Sequence, residues 1–235
     1  MAKIISIHSF RGGTGKSNTT ANLATQLAAK GLRVGVIDTD IASPGIHILF
    51  RLEEEAMQYS LNDHLYGKCK IEEAAYDVTS RLGKPISGKV YLVPASIKPG
   101  EIVRFLREGY DPEFLNDGFH KLIEALNLDI LMVDTHPGMN EETLLSMAVS
   151  DILVIVMRPD QQDYQGTAVT VEVARRLDVP RLLLVVNKTP SVFDPNQIRA
   201  QAEEIYNTEV AAVLPHSDEM MALQSDGIFS LEYPN

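Results

Sequence analysis

Eight residues near the amino terminus, Phe10-Arg11-Gly12-Gly13-Thr14-Gly15-Lys16-Ser17, leave this chain the least freedom. An apolar run, Lys3 to Ser9, precedes them and reads as a buried strand. Asn18 to Lys30 follows and reads as a helix, with Leu23/Leu27 and Ala24/Ala28 on one face. A strand, a glycine-rich turn and a helix are the anatomy of a phosphate loop. Glycines let the backbone curl without Cβ clashes, so successive N–H groups point inward at phosphate oxygens. The helix N-terminus adds its partial positive charge. Lys16 is expected to bridge the β- and γ-phosphates, and the Ser17 hydroxyl to ligate Mg²⁺. Gly12, Gly13, Thr14, Gly15 and Asn18 complete the expected nucleotide-binding stretch. A glycine-rich turn without a ligand is the plain alternative, and a Lys-Ser pair opening a helix after a strand weighs heavily against it.

Two further strand ends carry carboxylates. Arg33 to Ile37 reads as a second strand and runs into Asp38-Thr39-Asp40. Carboxylates at i and i+2 share a face until the strand ends, and at the carboxyl edge of a parallel sheet they face the phosphate loop. An Asp-rich turn alone would be unremarked; one βαβ step after a phosphate loop it gains meaning. Leu128 to Asp134 is an apolar run ending in Asp, the Walker B pattern, in which the strand buries its hydrophobes and presents one carboxylate to hold Mg²⁺ through water.

The loop breaks the strict G-x-x-x-x-G-K-[ST] pattern, because Phe10 stands where the first glycine belongs. It resembles instead the deviant Walker A motif of the MinD/ParA ATPases, (K)GGxGK[ST], with Arg11 in place of the signature lysine. In that family the lysine reaches across a dimer to the partner's nucleotide, and an arginine can deliver the same charge with a bidentate fork. Carried over from the resemblance, Arg11 and Lys16 join Asp40 as catalytic residues. Asp40 orients or deprotonates the attacking water, and Asp38 supports the Mg²⁺ water shell beside Ser17 and Asp134. Asp134-Thr135-His136-Pro137-Gly138 resembles the family's second switch, DTPPG, with His136 replacing a proline. There the Gly138 N–H would bond the γ-phosphate and sense hydrolysis. His136 is either a pH-sensitive element or a solvated bystander. Asn187, at the end of the strand Arg181 to Val186, resembles the family's adenine-binding Asn, whose amide both donates and accepts. Pro215, after the strand Val210 to Leu214, resembles the loop that walls the adenine.

Strands and helices alternate along the whole chain, so the fold class expected is α/β: a three-layer α/β/α P-loop NTPase with a mostly parallel sheet of seven to eight strands, a single domain over residues 1–235. Leu52 to Leu82 reads as two short surface helices near 60–65 and 71–74, the first capped by Ser60. Lys89 to Pro94 reads as the third strand, and Pro112 to Leu126 as a helix. A lone Cys69 allows no internal disulfide, and six scattered histidines make a structural metal site an unpromising reading. Apolar runs such as Leu182 to Val186 are too short for a membrane helix, and no signal pattern opens the chain, so the cytoplasm is the expected compartment.

The resemblance implies an ATP-hydrolysing switch that is a homodimer with ATP bound, turns over slowly, and answers to an adaptor protein that stimulates hydrolysis. It would partition or position a cellular cargo. Non-specific DNA stays open as a platform, although net charge is −11 and residues 160–235 offer only Arg175, Arg176, Arg181, Lys188 and Arg199 as cations. A membrane anchor would need a cationic amphipathic segment, which the sequence lacks. Relatives carrying Fe–S clusters need paired cysteines, and tyrosine kinases of this type a tyrosine-rich tail; neither is present. The alternative kept is an ATP-dependent biosynthetic ligase related to dethiobiotin synthase or cobyrinate amidase.

Overall fold

Parallel pairing of short apolar strands builds the centre of the molecule. In the computed structural model, which describes residues 2–234, eight strands form one sheet in the order β3-β4-β2-β5-β1-β6-β7-β8. They are β1 Lys3–His8, β2 Arg33–Asp38, β3 Tyr76–Asp77, β4 Lys89–Val93, β5 Ile130–Asp134, β6 Ile152–Met157, β7 Leu182–Thr189 and β8 Val210–Pro215. All neighbours run parallel except β3, which pairs antiparallel with β4 through Tyr76 and Asp77. The ten α-helices are α1 Lys16–Ala29, α2 Ile46–Leu49, α3 Leu61–Leu65, α4 Pro99–Glu108, α5 Pro112–Leu126, α6 Glu141–Ala148, α7 Gln161–Arg176, α8 Pro195–Tyr206, α9 Asp218–Ala222 and α10 Phe229–Glu232.

Alternation along each strand divides the core between two faces. Ile5 and Ile7 of β1, Val34 and Val36 of β2 and Met132 of β5 pack with Ala21, Ala24 and Ala28 of α1. Their neighbours Ile4, Ile37, Leu131 and Val133 turn the other way, onto Leu115, Phe119 and Leu122 of α5. Further along that second face, Leu153, Ile155 and Met157 of β6 meet Val171 and Ala174 of α7 and Ile198 and Ala202 of α8. The three-layer α/β/α expectation holds, with eight strands.

Several local expectations are corrected. The segment 61–65 has Ser60 as its cap, in a reciprocal box with Asp63. It is not a surface helix, however: Leu61, Asn62 and His64 are buried, as are Ile71 and Ala74 of the following 3₁₀ turn. Lys89–Val93 is the fourth strand in sequence, because the two-residue β3 carries too little periodicity to be read. β7 continues through Asn187 and Lys188 to Thr189 rather than stopping at Val186, and α7 begins at Gln161, capped by Asp160. Asp160 is an Asx cap of ordinary type that the alternation of apolar residues does not reveal.

Gly88 marks the closest backbone approach in the fold. Its N–H donates to the Ala28 carbonyl at 2.8 Å, and a Cβ there would lie 2.1 Å from the Leu32 carbonyl oxygen and 2.6 Å from that of Ala28. Both obstacles are main chain, so the end of α1 and the start of β4 would have to part. Gly88→Ala is expected to cost about 3 kcal/mol or more, read as a lowered midpoint in urea unfolding with unchanged slope.

Candidate functional site

Register decides what meets at the carboxyl edge of the sheet. β5 lies between β1 and β2, and its last residue, Asp134, stands opposite Ile7 on one side and Asp38 on the other. The two Asp side chains are therefore neighbours, and both are 1% exposed. Asp134 Oδ1 accepts a bond from the Thr20 hydroxyl at 3.1 Å, and the Ser17 side chain is close enough to bias its carboxyl. Asp38 accepts from the backbone N–H of Asp40 at 3.0 Å and of Gly45 at 3.4 Å. Burial pushes the Asp134 carboxyl up to about 6, against the pull of the Ser17 hydroxyl and the Lys16 charge. Burial, then repulsion by Asp134 and by Asp40, drives Asp38 well above the ordinary carboxylate range. Two buried carboxylates that repel one another beside a serine hydroxyl form an oxygen donor set, which suits a hard divalent cation such as Mg²⁺. Among the described residues no cluster of three His, Cys, Asp or Glu forms a self-sufficient metal site, so such an ion would draw its remaining ligands from water and phosphate.

The loop above these carboxylates has the backbone its glycines permit. Gly13 and Gly15 have φ of 78° and 99°, in the left-handed region. α1 opens at Lys16 with no side-chain cap on its N-terminus. Its first N–H groups thus face the loop, where an anion would be favoured by hydrogen bonding and by the helix dipole. Lys16 is buried and lies close enough to Asp40, Asp134 and His8 to bias all three. His8 is fully buried. Its Nδ1 is 2.8 Å from the Thr135 hydroxyl, which itself donates to the Ile7 carbonyl, and burial lowers the imidazole to about 3. It is a neutral ring at the floor of the site.

Arg11 turns inward. Its guanidinium bonds Gln162 and lies 3.4 Å from Asp163 and 3.9 Å from Asp160, all at the start of α7. Asp163 is buried and also holds Arg158 through its backbone N–H at 2.8 Å and its Nε at 3.2 Å. Phe10 leans on the same helix: a Cβ on Gly166 would fall 2.0 Å from the Phe10 ring.

From the other side β7 reaches under the loop. Asn187 Nδ2 donates to the Thr14 carbonyl at 2.8 Å, and its Oδ1 accepts from the Lys188 N–H at 2.9 Å. Lys188, itself left-handed at φ 56°, places Nζ 2.8 Å from the Gly13 carbonyl. Asn187 is thus a brace for the loop, with both ends of its amide engaged, and it also lines the cavity beside the loop. Pro215 and Asn18 do line one cavity of about 570 Å³, with Asn22, Leu23, Leu214 and Met220. That cavity opens beside the loop and is apolar enough to receive a flat base. The Gly138 N–H, expected at a γ-phosphate, donates to the Ser9 carbonyl at 3.2 Å.

His136 Nε2 lies 3.8 Å from Asp40 Oδ1, joining the two loops that follow β2 and β5. Burial raises Asp40, and a protonated His136 and the Lys16 charge each act to pull it back.

Sequence reasoning missed His8, Asp163, Gly166 and the bracing role of Lys188. Only Lys188 had a signal, its place beside Asn187. The five late cations all have acceptors on this chain: Arg175 on the Tyr206 and Asn207 carbonyls, Arg176 on Glu172, Arg181 on Glu209, Arg199 on the Val210 carbonyl and Lys188 on Gly13. Among the described residues no helix is long and apolar enough to cross a membrane.

Comparison with known proteins gives concordant results. A family model described as an AAA domain matches residues 2–179. An uncharacterized ATP-binding protein of Methanocaldococcus jannaschii is 30% identical over 92% of this chain and 75% of its own length. The septum site-determining protein MinD of Bacillus subtilis is 25% identical over 97% of this chain and 81% of its own. The crystal structure of the Pyrococcus furiosus cell division ATPase MinD superposes with a TM-score of 0.81 at 23% identity, covering 99% of this chain and 91% of that one.

Filling the hollow at Gly166 tests how far α7 holds the loop. Gly166→Ala is expected to displace the Phe10 ring and raise the Kd for a fluorescent ADP analogue about tenfold, roughly 1.4 kcal/mol. The additional substitution Phe10→Ala, which removes the colliding ring, should recover most of that loss.

Proposed function

The chain belongs to the AAA domain family AAA_31 and to the MinD/ParA group of P-loop proteins, and from that membership we propose that it is a cytoplasmic, ATP-hydrolysing switch whose whole length forms one nucleotide-binding domain. The observation that carries the reading is the convergence on one sheet edge of the uncapped α1 N-terminus, Lys16, the Thr20–Asp134 bond and buried Asp38. Gly12 to Asn18 would wrap the phosphates, with Lys16 neutralising the β- and γ-oxygens. Ser17, Asp38 and Asp134 would hold Mg²⁺, which supplies Lewis-acid stabilisation of the transferring phosphoryl group. Asp40 would take the proton of the attacking water. The base would enter the cavity lined by Asn18 and Pro215, with Asn187 beneath it.

The finer reading is a slow ATPase that dimerises with ATP bound and is stimulated by an adaptor. In such a dimer Arg11 would exchange its contacts with Asp163 and Gln162 for the partner's nucleotide, and Gly138 would leave Ser9 for the γ-phosphate. Its cargo role would be one of positioning, the class to which a septum site-determining relative points. DNA gains no support as the platform, since the late-chain cations are engaged within the chain. No observation favours a ligase.

Light scattering after size exclusion, with and without Mg-ATP, tests the reading on Asp40→Ala. The expected outcome is an ATP-dependent shift from monomer to dimer that Arg11→Ala abolishes and Lys16→Ala removes together with nucleotide binding. An Asp40→Ala protein that binds ATP yet stays monomeric would overturn the dimeric switch.

A further inference from the structure

The departure of His136 from the motif this segment resembles has a geometric counterpart. His136 Nδ1 lies 2.5 Å from the Pro137 carbonyl oxygen. A carbonyl only accepts, so Nδ1 carries a proton, and in the neutral ring this leaves the lone pair on Nε2. That lone pair faces Asp40 Oδ1 at 3.8 Å. Two acceptors cannot bond each other. A water about 2.8 Å from each fits across such a gap with its O–H bonds diverging, one to each acceptor. Asp40 is held for this task from its own side, where the Ser43 N–H donates to Oδ1 at 3.2 Å. His136 is held by its contact with Pro137, and the Thr143 hydroxyl donates to its carbonyl at 3.3 Å. Both side chains keep partial access to solvent, at 33% and 15% exposure, so water can reach the gap.

We propose that His136 is a catalytic residue, the second acceptor for the hydrolytic water, so that Asp40 and His136 together grip both O–H bonds and leave the oxygen lone pair aimed at the γ-phosphorus. The inference rests on the ATP-hydrolysing reading above and adds a residue to it. In the step, the water oxygen bonds to the γ-phosphorus and the bond from that phosphorus to the bridging oxygen breaks. The electron pair leaves with ADP, and the water proton passes to the Asp40 carboxylate. His136 accepts a hydrogen bond throughout and takes no proton. A proline at this position could not do so, because its side chain has no acceptor.

The test uses the full chain, Mg-ATP and steady-state phosphate release, with nucleotide affinity and thermal unfolding measured on each variant. His136→Leu removes the acceptor and should lower kcat at least tenfold, a loss of about 1.4 kcal/mol of transition-state stabilisation, with KM and nucleotide Kd changed less than about twofold. His136→Gln, whose carboxamide oxygen can stand near Nε2, should regain a large part of that loss. His136→Pro, the residue of the resembled motif, should behave as Leu does and serves if Leu perturbs folding. In an Asp40→Asn background His136→Leu should add little, since two groups holding one water fail as a unit. Wild-type kcat in His136→Leu, equal losses in Leu and Gln, or losses that multiply with Asp40→Asn would each overturn the inference while the ATPase reading stands. A wild-type chain with no turnover would overturn both.

Discussion

Everything at the site depends on β5 lying in register between β1 and β2. That pairing sets Asp134 against Asp38 and both against the root of the phosphate loop. Burial raises the proton affinity of both carboxylates, and repulsion by Asp134 adds to it at Asp38. The fold tolerates the pair because each has hydrogen-bond donors: Thr20 for Asp134, backbone N–H groups for Asp38. These are also the contacts that seat α1 and shape the loop after β2. The electrostatic cost of the site and the mechanical joining of its parts thus reside in the same few bonds.

Around that centre the loop is held from two directions. α7 receives Phe10 in the hollow at Gly166 and Arg11 on Asp163, while β7 supports the Thr14 and Gly13 carbonyls through Asn187 and Lys188. A glycine-rich loop has large conformational entropy to lose on binding an anion. Bracing it in advance lowers that loss, which is the general benefit of preorganisation. Arg11 itself is held within the chain, by Asp163 and Gln162.

Much of this was legible in the sequence because it is local. Phe10 to Ser17, Asp38 to Asp40 and Asp134 to Gly138 are contiguous segments whose residue types fix their chemistry, and strand-helix alternation fixed the sheet. What escaped was non-local or lacked periodicity. Asp163 reads as one acid in a helix until Arg11 and Arg158 are brought to it. Gly166 is an ordinary helical glycine until a ring from residue 10 occupies its missing side chain. β3 is two residues long, and His64, in a helix of five residues, is buried against Gly118 of α5, a contact no short-range pattern announces. The contacts of Asn187 with Thr14 and Lys188 also lay beyond the sequence, because strand-end position says where an amide is and not what it faces.

The left-handed Lys188 at the end of β7 carries a lesson for how the chain can vary. Successive strand residues point to opposite sides, so sliding β7 by a single position would swing Asn187 off the Thr14 carbonyl and remove Lys188 from Gly13. An outer strand, two places from the chemistry, is thereby locked to the site. Insertions in the turns at the opposite edge of the sheet, such as the one holding Asp178, leave this geometry untouched, whereas a single residue gained inside β7 does not. Length variation in descendants of this sequence is accordingly channelled to one edge of the sheet, and the other is closed to it.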